Sequence, residues 1–412
     1  MRKLTILTSI AFLIFSCENL LVKNGDDNRG NTRPLTAKEQ ALVTSNQEFA
    51  FNLLAAVTAS DATENIFISP LSVAMALGMT MNGASGQTYA DMQAALEFAG
   101  LKETEINQTF ESLIELLQSI DPEVITEIAN SIWIRDGFTV ENDFIETNRD
   151  YFDAEVATAD FTDPATVTTI NDWIAANTNG KITDVLDQIP AEAVMYLINA
   201  IYYKAIWQYE FDQEYTRPED FYVSANNSVT VDMMRLTADL QYYADDTVQI
   251  VDLPYGRGNY SMTVILPWAS IDLDEYIQSF DSQRWNYYLS ELEVKTGTVA
   301  VPRLRINYKL LMNEALDQLG MGIAFSGQAD FSRINPFYDL FISRVIHQTF
   351  VQMDEEGTEA AAVTVVEVSL TSVGPVTDFT MAVNRPYLFL IRERESGAIL
   401  FTGKISRPVW EE

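Results

Sequence analysis

The sequence has very little cysteine and histidine: among its 412 residues, Cys17 and His347 are the only ones of their kind. A single thiol cannot form a disulfide within the chain, and a zinc site would need more cysteine or histidine ligands. Four common active-site motifs are also absent, namely G-x-S-x-G, H-E-x-x-H, G-x-x-x-x-G-K-[ST] and G-x-G-x-x-G. We therefore expect no metal, no cofactor and no enzyme activity. His347 lies in an apolar segment typical of a strand, which favours a hydrogen-bonded core residue over a catalytic base.

Basic residues are scarce too, with 26 lysines and arginines against 59 acidic residues and a net charge of −33. So acidic a surface repels phosphate backbones, and we expect no nucleic-acid partner. Hydrophobic residues make up 47% of the chain, enough for a large core. No linker-like stretch or fixed-period repeat follows residue 35, so residues 36–412 are predicted to form a single domain, most simply a monomer.

The N-terminus has the features of an export signal. A basic start at residues 1–3 precedes an apolar run, residues 4–15, that is too short to span a bilayer. Ser16 directly before Cys17 resembles a bacterial lipobox. We expect a signal peptide over residues 1–16, then the lipidated Cys17 and a flexible tether to residue 35, so that the protein is anchored in the bacterial cell envelope, on its periplasmic or surface face. The alternative is ordinary signal cleavage nearby.

Hydrophobic periodicity predicts helices first and strands later. Apolar residues at helical spacing predict helices over residues 36–59, 70–82, 88–98, 106–120, 166–177 and 309–319. Runs rich in β-formers predict strands over residues 197–203, 248–253, 261–266 and 298–301. Helices and strands grouped in this way indicate the α+β class.

A series of residue strings, in a fixed order along the chain, resembles one family. The strings are Asn65-Ile66-Phe67-Ile68-Ser69-Pro70-Leu71-Ser72, Gly83-Ala84-Ser85-Gly86-Gln87-Thr88, Ile170-Asn171-Asp172-Trp173, Leu197-Ile198-Asn199-Ala200-Ile201-Tyr202-Tyr203-Lys204, Glu355-Glu356-Gly357-Thr358-Glu359-Ala360-Ala361-Ala362 and Asn384-Arg385-Pro386-Tyr387-Leu388-Phe389. Together they resemble the serpins, and the resemblance covers essentially all of residues 36–410.

The resemblance implies both a fold and a mechanism. The serpin fold packs helices around three β-sheets and exposes a reactive-centre loop. A serpin acts as a suicide substrate: a serine protease attacks the loop, and the loop then inserts as a new strand into the main sheet. The cleaved inhibitor carries the covalently bound protease to the far pole and distorts its active site.

The resemblance also assigns roles to residues. It implies a loop hinge at Glu355, Glu356, Gly357, Thr358, Glu359, Ala360, Ala361 and Ala362, and a reactive bond at Thr371–Ser372, with Leu370 and Val373 as alternates. It implies a shutter, where the sheet parts, at Ser69, Ser72, Asn199 and His347. It also implies a breach, at the top of the sheet, that contains Trp207 and Arg303. Arg303 and Glu355 are expected to pair, and an exposed pair would contribute only about 0–1 kcal/mol.

The loop sequence is compatible with insertion. With Thr358 facing the core, every second residue as far as Val368 is small or β-branched, and Glu359 and Glu367 fall on the outward side. An ordinary β-hairpin would show a similar pattern. Between Glu355 and Arg385 there is no lysine or arginine, which favours elastase-like or subtilisin-like targets over trypsin-like ones. Leu370 leaves chymotrypsin-like targets open.

Three other functions remain open on the sequence. A non-inhibitory serpin-fold binding protein would keep the fold without trapping a protease. A solute-binding lipoprotein would explain Cys17 and the tether but not the hinge. A hydrolase would have to use His347.

Overall fold

The computed structural model describes residues 33–358 and 377–410. The predicted signal peptide, Cys17, most of the tether, the hinge from Glu359 to Ala362 and the predicted reactive bond lie outside the described residues. No described helix is long and apolar enough to cross a membrane.

The helices begin where the sequence offers caps. Thr36 and Glu39 form a capping box, and the Ser69 hydroxyl accepts a hydrogen bond from Ser72 N in front of Pro70. The described helices are α1 (Ala37–Ser60), α2 (Pro70–Met81), α3 (Gly86–Ala95), α4 (Glu103–Ser119), α5 (Asn142–Phe152), α6 (Ala165–Asn177), α7 (Leu273–Gln278), α8 (Ser282–Glu291) and α9 (Asn313–Leu316).

The strands follow the β-rich segments and extend most of the predicted ones. They are β1 (Asn65–Ile68), β2 (Val124–Arg135), β3 (Glu155–Ala159), β4 (Met195–Ile206), β5 (Arg217–Ser224), β6 (Asn227–Ala244), β7 (Val248–Tyr255), β8 (Tyr260–Pro267), β9 (Glu293–Pro302), β10 (Leu304–Leu311), β11 (Ile346–Met353), β12 (Gly357–Thr358), β13 (Phe379–Ala382), β14 (Tyr387–Glu393) and β15 (Ile399–Ile405).

Two hydrogen-bonded sheets organise the described strands. The main sheet has the order β10-β11-β12-β4-β2-β3. The second has the order β1-β15-β14-β8-β7-β6-β9-β13, with β5 paired to β6. The long strand β6 joins two parts of the second sheet, because its residues pair with β9 along most of its length and with β7 near its end. The α+β class predicted from the sequence is confirmed.

One prediction of secondary structure was wrong, and several strands were not predicted. The helix expected over residues 309–319 begins only at Asn313, because Lys309, Leu310 and Leu311 pair as a strand with β11. The strand β2 was not predicted, although its residues alternate between buried and exposed for much of its length. Both segments pair with strands that lie far away in sequence.

Helices cover the main sheet on both faces. Helix α2 is buried between β4 and β15, so it lies behind the main sheet. Helix α6 crosses the front, where Ile170 and Ile174 pack with Trp133, Phe161 and Leu186 in a small separate core. The middle of the main sheet therefore lies between α2 and α6.

Candidate functional site

The main sheet contains a cleft between β4 and β11. At its upper end the two-residue strand β12 pairs with both neighbours: Gly357 and Thr358 with Ile206 and Ala205 on β4, and Thr358 with Met353 on β11. A strand between them puts β4 and β11 two spacings apart, about 9–10 Å. At the level of β12 the gap between β4 and β11 is therefore one strand wide.

Further down from Thr358, beginning at Ile201 on β4 and Gln348 on β11, a cavity lies between the two strands in the described part of the chain. Its walls are residues 195–201 of β4 and residues 345–348 at the start of β11, and its volume is about 310 Å³. Residues 195–199 are only half-buried, in contrast to the buried residues 200–203 above them. Asn199 Oδ1 and Gln348 Oε1, which line this cavity from opposite walls, are buried and find no hydrogen-bond partner in the described part of the chain. An additional strand in the cleft could supply hydrogen-bond donors to these two buried oxygens.

Gly357 is required where the hinge enters the sheet. A Cβ on this residue would lie 2.1 Å from the carbonyl oxygen of Ala205 and 2.8 Å from the Cα of Ile206. These are backbone atoms of β4, so they cannot rotate out of the way. Only glycine allows the chain to approach β4 this closely.

Thr358 faces the core, as the alternation predicts. Its side chain is 3% exposed, and its hydroxyl shares a short hydrogen bond with the Tyr255 hydroxyl. Burial raises the pKa of Tyr255 far above its ordinary value, so that hydroxyl stays protonated. The structure therefore supports the inward side assigned to Thr358.

Glu355 is buried beneath the top of the sheet, which corrects the expectation of an exposed ion pair. It is 2% exposed, and its carboxylate accepts hydrogen bonds from Arg303 Nε at 2.9 Å and from the Thr216 hydroxyl at 2.5 Å. The Arg303 guanidinium also approaches Asp232 at 3.7 Å. The predicted pair is present, but its carboxylate lies out of water. Thr216 lies outside any motif and was not predicted.

Trp207 fixes the turn between β11 and β12. Its indole Nε1 donates to the carbonyl of Asp354 at 2.8 Å, and its backbone N–H donates to the carbonyl of Glu356 at 2.9 Å. Its ring stacks on Tyr255 with centroids 4.3 Å apart. Burial raises the pKa of Asp354 in the same turn. The start of the hinge is therefore held by Trp207 on one side and Arg303 on the other.

The predicted shutter residues divide between the two walls. Ser69 N–H donates to His347 Nε2 at 3.0 Å, and the Ser69 hydroxyl accepts from Ser72 N at 3.2 Å. Asn199, on the opposite wall, donates to Asn130 Oδ1 at 2.8 Å. The structure therefore brings Ser69, Ser72 and His347 together and leaves Asn199 across the cleft.

His347 is neutral in this position. Burial lowers its pKa to about 4, because the charged imidazolium would lose its hydration. Since Nε2 accepts the bond from Ser69, the ring proton of the neutral imidazole lies on Nδ1. Such a histidine acts as a structural hydrogen-bond partner at pH 7.

The segment after α6 forms a strap, residues 181–187, over the front of the cleft. Gln348 donates to the carbonyl of Thr183 at 3.2 Å, and Lys309 Nζ donates to the carbonyl of Asp184 at 3.0 Å. Lys309 also approaches the Asp187 carboxylate at 3.4 Å. These bonds link the strap to β10 and β11, although it follows a helix that packs on β2 and β4. Nothing in the sequence pattern indicated this strap.

The chain was compared with protein families and with individual proteins, and both comparisons point to the same family. The family model described as "Serpin (serine protease inhibitor)" matches residues 44–408. A serpin-like protein of Methanosarcina acetivorans is 32% identical over 382 residues, covering 90% of this chain and 89% of that protein. The leukocyte elastase inhibitor of Equus caballus is 33% identical over 387 residues, covering 90% of this chain and 100% of that protein.

Solved structures show the same fold. The thermophilic serpin tengpin in its native state has a TM-score of 0.82 at 32% identity, covering 91% of this chain and 95% of that one. Human thyroxine-binding globulin has a TM-score of 0.81 at 27% identity, covering 91% of this chain and 100% of that one. With a family match over most of its length and relatives of this similarity, the chain belongs to the serpin family.

Proposed function

We propose that the protein inhibits serine proteases as a suicide substrate, by inserting its cleaved loop into the cleft between β4 and β11. The observation that carries this proposal is the two-residue strand β12. It pairs with both strands at the upper end of the cleft, and further down, among the described residues, the lower parts of β4 and β11 line a cavity. The direction of entry and the space ahead of it match what insertion requires.

The register at β12 defines where the following residues would pair. Thr358 lies opposite Ala205 and Met353. Continued one residue at a time, the same antiparallel register would bring Thr364 opposite both Asn199 and His347. A threonine hydroxyl at that level could donate to the unpaired Asn199 Oδ1. The inward residues of the loop would thus fit the cleft in size and hydrogen bonding.

The proposed chemistry is that of an interrupted hydrolysis. The protease's serine oxygen would attack the carbonyl carbon of Thr371 and form an ester, and the Thr371–Ser372 bond would break. Ser372 would leave as an amine, with a proton from the protease's histidine. Water would normally hydrolyse the ester. Insertion along the cleft would instead move the bound enzyme away and deform the groups that stabilise the hydrolytic transition state.

The proposed target has a small or apolar primary pocket. The loop offers Leu370, Thr371, Ser372 and Val373 near the predicted bond, and no lysine or arginine lies between Glu355 and Arg385. Elastase-like and subtilisin-like enzymes fit best, and chymotrypsin-like enzymes could cut after Leu370. Mass spectrometry of the released C-terminal fragment identifies the bond. Cleavage after Arg385, with efficient capture of trypsin, would contradict this specificity.

Capture of protease tests the function. We expect an SDS-resistant complex when the protein is mixed with elastase or subtilisin. As a matched control, the same protease with its catalytic serine replaced by alanine should give none, because no ester can form. Cleavage of the loop by every active protease tested, without any stable complex, would contradict inhibition.

A second candidate is a serpin-fold binding protein. It is favoured by the likeness to thyroxine-binding globulin, whose structure was solved with its ligand. This function needs no loop insertion, so the active protease would cleave the loop and be released. The same complex assay therefore separates the two functions.

We also propose that the mature protein begins at a lipidated Cys17. The supporting features are the short apolar run and the small residue before the chain's single cysteine. Several acyl chains on one residue give stable membrane attachment, since each buried methylene contributes about 0.8 kcal/mol. Mass spectrometry of the N-terminal peptide from a bacterial host should show an acylated Cys17. An unmodified N-terminus elsewhere would indicate ordinary signal cleavage.

A further inference from the structure

Three exposed aromatic residues lie at the lower end of the cleft. Phe337 is 85% exposed, Tyr338 61% and Phe341 49%. We refer to these three residues as the distal aromatic patch. Phe341 lines the same cavity as residues 192–195, which include the lower end of β4. The patch therefore borders the point where an inserted strand would leave the sheet.

The patch is held in place although it is exposed. The buried Asn335 side chain donates to the carbonyl of Thr139 at 2.8 Å and accepts from Phe337 N at 2.8 Å. The Tyr338 ring contacts that of Phe138, with centroids 5.4 Å apart. A fixed group of exposed aromatic rings is uncommon on a soluble protein and marks a contact surface.

Loop insertion would bring one specific partner to this surface. In the register set by β12, Val368 would pair with Met195 at the end of β4. The ester-bearing Thr371 would then lie three residues further on, about 10 Å beyond the sheet. The protease attached to Thr371 would have to rest against the adjoining surface, which includes the distal aromatic patch.

We propose that the distal aromatic patch binds the captured protease and holds it in its distorted position. The inference rests on the proposed function and extends it to the stability of the complex. Because the protease is covalently attached, its effective concentration at the patch is very high, and a small apolar surface with no measurable affinity for free protease is sufficient.

The role of the patch concerns one step only. Hydrolysis of the trapped ester needs water to attack the Thr371 carbonyl, the ester bond to the protease's serine to break and a proton to return to the serine oxygen. That step is slow while the protease's oxyanion-stabilising groups are displaced. Contacts that hold the protease in the displaced position therefore slow its release.

The test compares complexes formed by the whole protein and a triple variant, Phe337→Ser with Tyr338→Ser and Phe341→Ser. We expect an unchanged association rate, because the patch lies far from the loop's predicted entry point. Phe341 lines the cavity that would receive the loop, so the stoichiometry is compared in the double variant Phe337→Ser with Tyr338→Ser, where it should not change. The half-life of the SDS-resistant complex should fall about tenfold, equivalent to about 1.4 kcal/mol. The apolar variant Phe337→Leu with Tyr338→Phe and Phe341→Leu should restore the half-life.

Tyr287→Ser, at an exposed aromatic residue on α8, is the matched control and should leave the half-life unchanged. Phe337→Ser alone provides a milder second variant. An unchanged half-life in the triple variant overturns the proposal. If the triple variant instead loses binding of the free chain to phosphatidylcholine vesicles, the patch is a lipid contact. If the unmodified protein forms no complex with any protease, the proposed inhibitory function is contradicted, and so is this inference, which rests on it.

Discussion

The upper and lower ends of the cleft between β4 and β11 differ in packing. At the upper end, Gly357 and Thr358 complete the sheet, and Trp207 and Arg303 hold the turn that leads to them. At the lower end, residues 195–199 are half-buried, and the buried acceptors Asn199 Oδ1 and Gln348 Oε1 have no hydrogen-bond partner among the described residues. Among the described residues, the sheet is complete at Gly357 and Thr358 and lacks a strand between the lower parts of β4 and β11, which is the arrangement that the proposed insertion would need.

Replacing Thr358 should have the largest effect, because it blocks the upper end. In Thr358→Arg a charged side chain would have to enter the space beside Tyr255, and burial of an unpaired charge costs several kcal/mol. The loop would then insert more slowly than the ester is hydrolysed, so we expect the stoichiometry of inhibition to rise at least tenfold. Thr358→Ser keeps the hydroxyl and should inhibit almost normally. Unchanged stoichiometry in Thr358→Arg would contradict the claim that loop insertion needs an uncharged residue at the upper end of the cleft.

Glu355→Lys should loosen the turn at the upper end. The variant places a second cation beside Arg303 in a site that excludes water from the Glu355 carboxylate. Removing one partner of a buried pair costs about 3–5 kcal/mol, and we expect the lower value because Arg303 is partly exposed. The unfolding free energy should fall accordingly, and native gels should show polymers after mild heating. Glu64→Lys, at the exposed pair with Arg407, is the control and should cost no more than about 1 kcal/mol.

His347 should make the lower end sensitive to acid. Its pKa is about 4 in the folded protein and about 6.5 when unfolded, so only the unfolded chain gains its proton between these values. The stability due to neutral His347 is fully present above pH 6.5 and is lost as the pH falls towards 4, by about 3 kcal/mol. Protonation also removes the acceptor that Ser69 N–H uses. The difference in unfolding free energy between the unmodified protein and His347→Gln should therefore change over this range. A constant difference would contradict a buried neutral His347.

Weakening the strap over the lower end of the cleft should have the smallest effect on inhibition. Lys309→Ala removes the bonds to Asp184 and Asp187, and the Lys309–Asp187 pair is exposed enough to contribute at most about 1 kcal/mol. Because the strap crosses the front of the cleft, we expect insertion to become up to fivefold faster, measured as the rate of complex formation at saturating protease. Lys295→Ala removes an exposed pair on β9 and serves as the control. A slower rate in Lys309→Ala would mean that the strap guides the strand.

Local patterns predicted part of the secondary structure from the sequence, because those signals are consecutive along the chain. Ser69-Pro70 marks the start of α2 without knowledge of any partner. The hinge was assigned by the family resemblance. The Arg303–Glu355 pair followed from the family resemblance alone. Its burial did not, because it depends on contacts with Thr216 and Phe211, which lie far from Glu355 in sequence.

Features that depend on distant partners escaped prediction. Lys309 was assigned to a helix because its neighbours suit one, but pairing of Leu310 and Leu311 with β11 overrides that local preference. The position of Asn199 relative to His347 depends on how far β4 and β11 stand apart, and no residue pattern encodes that distance. The strap and the distal aromatic patch likewise arise only when segments far apart in sequence meet at the cleft.

Amide hydrogen exchange after loop cleavage most directly tests whether the cleaved loop inserts between β4 and β11. The loop would be cut within residues 359–376 by a protease that is then removed, and exchange would be followed in residues 195–204 of β4 and 346–353 of β11. If the loop inserts, the amides of both strands that face the cleft gain partners and should exchange much more slowly than in the intact protein, while those of β13 should not change. Equal exchange in both strands before and after cleavage would contradict insertion.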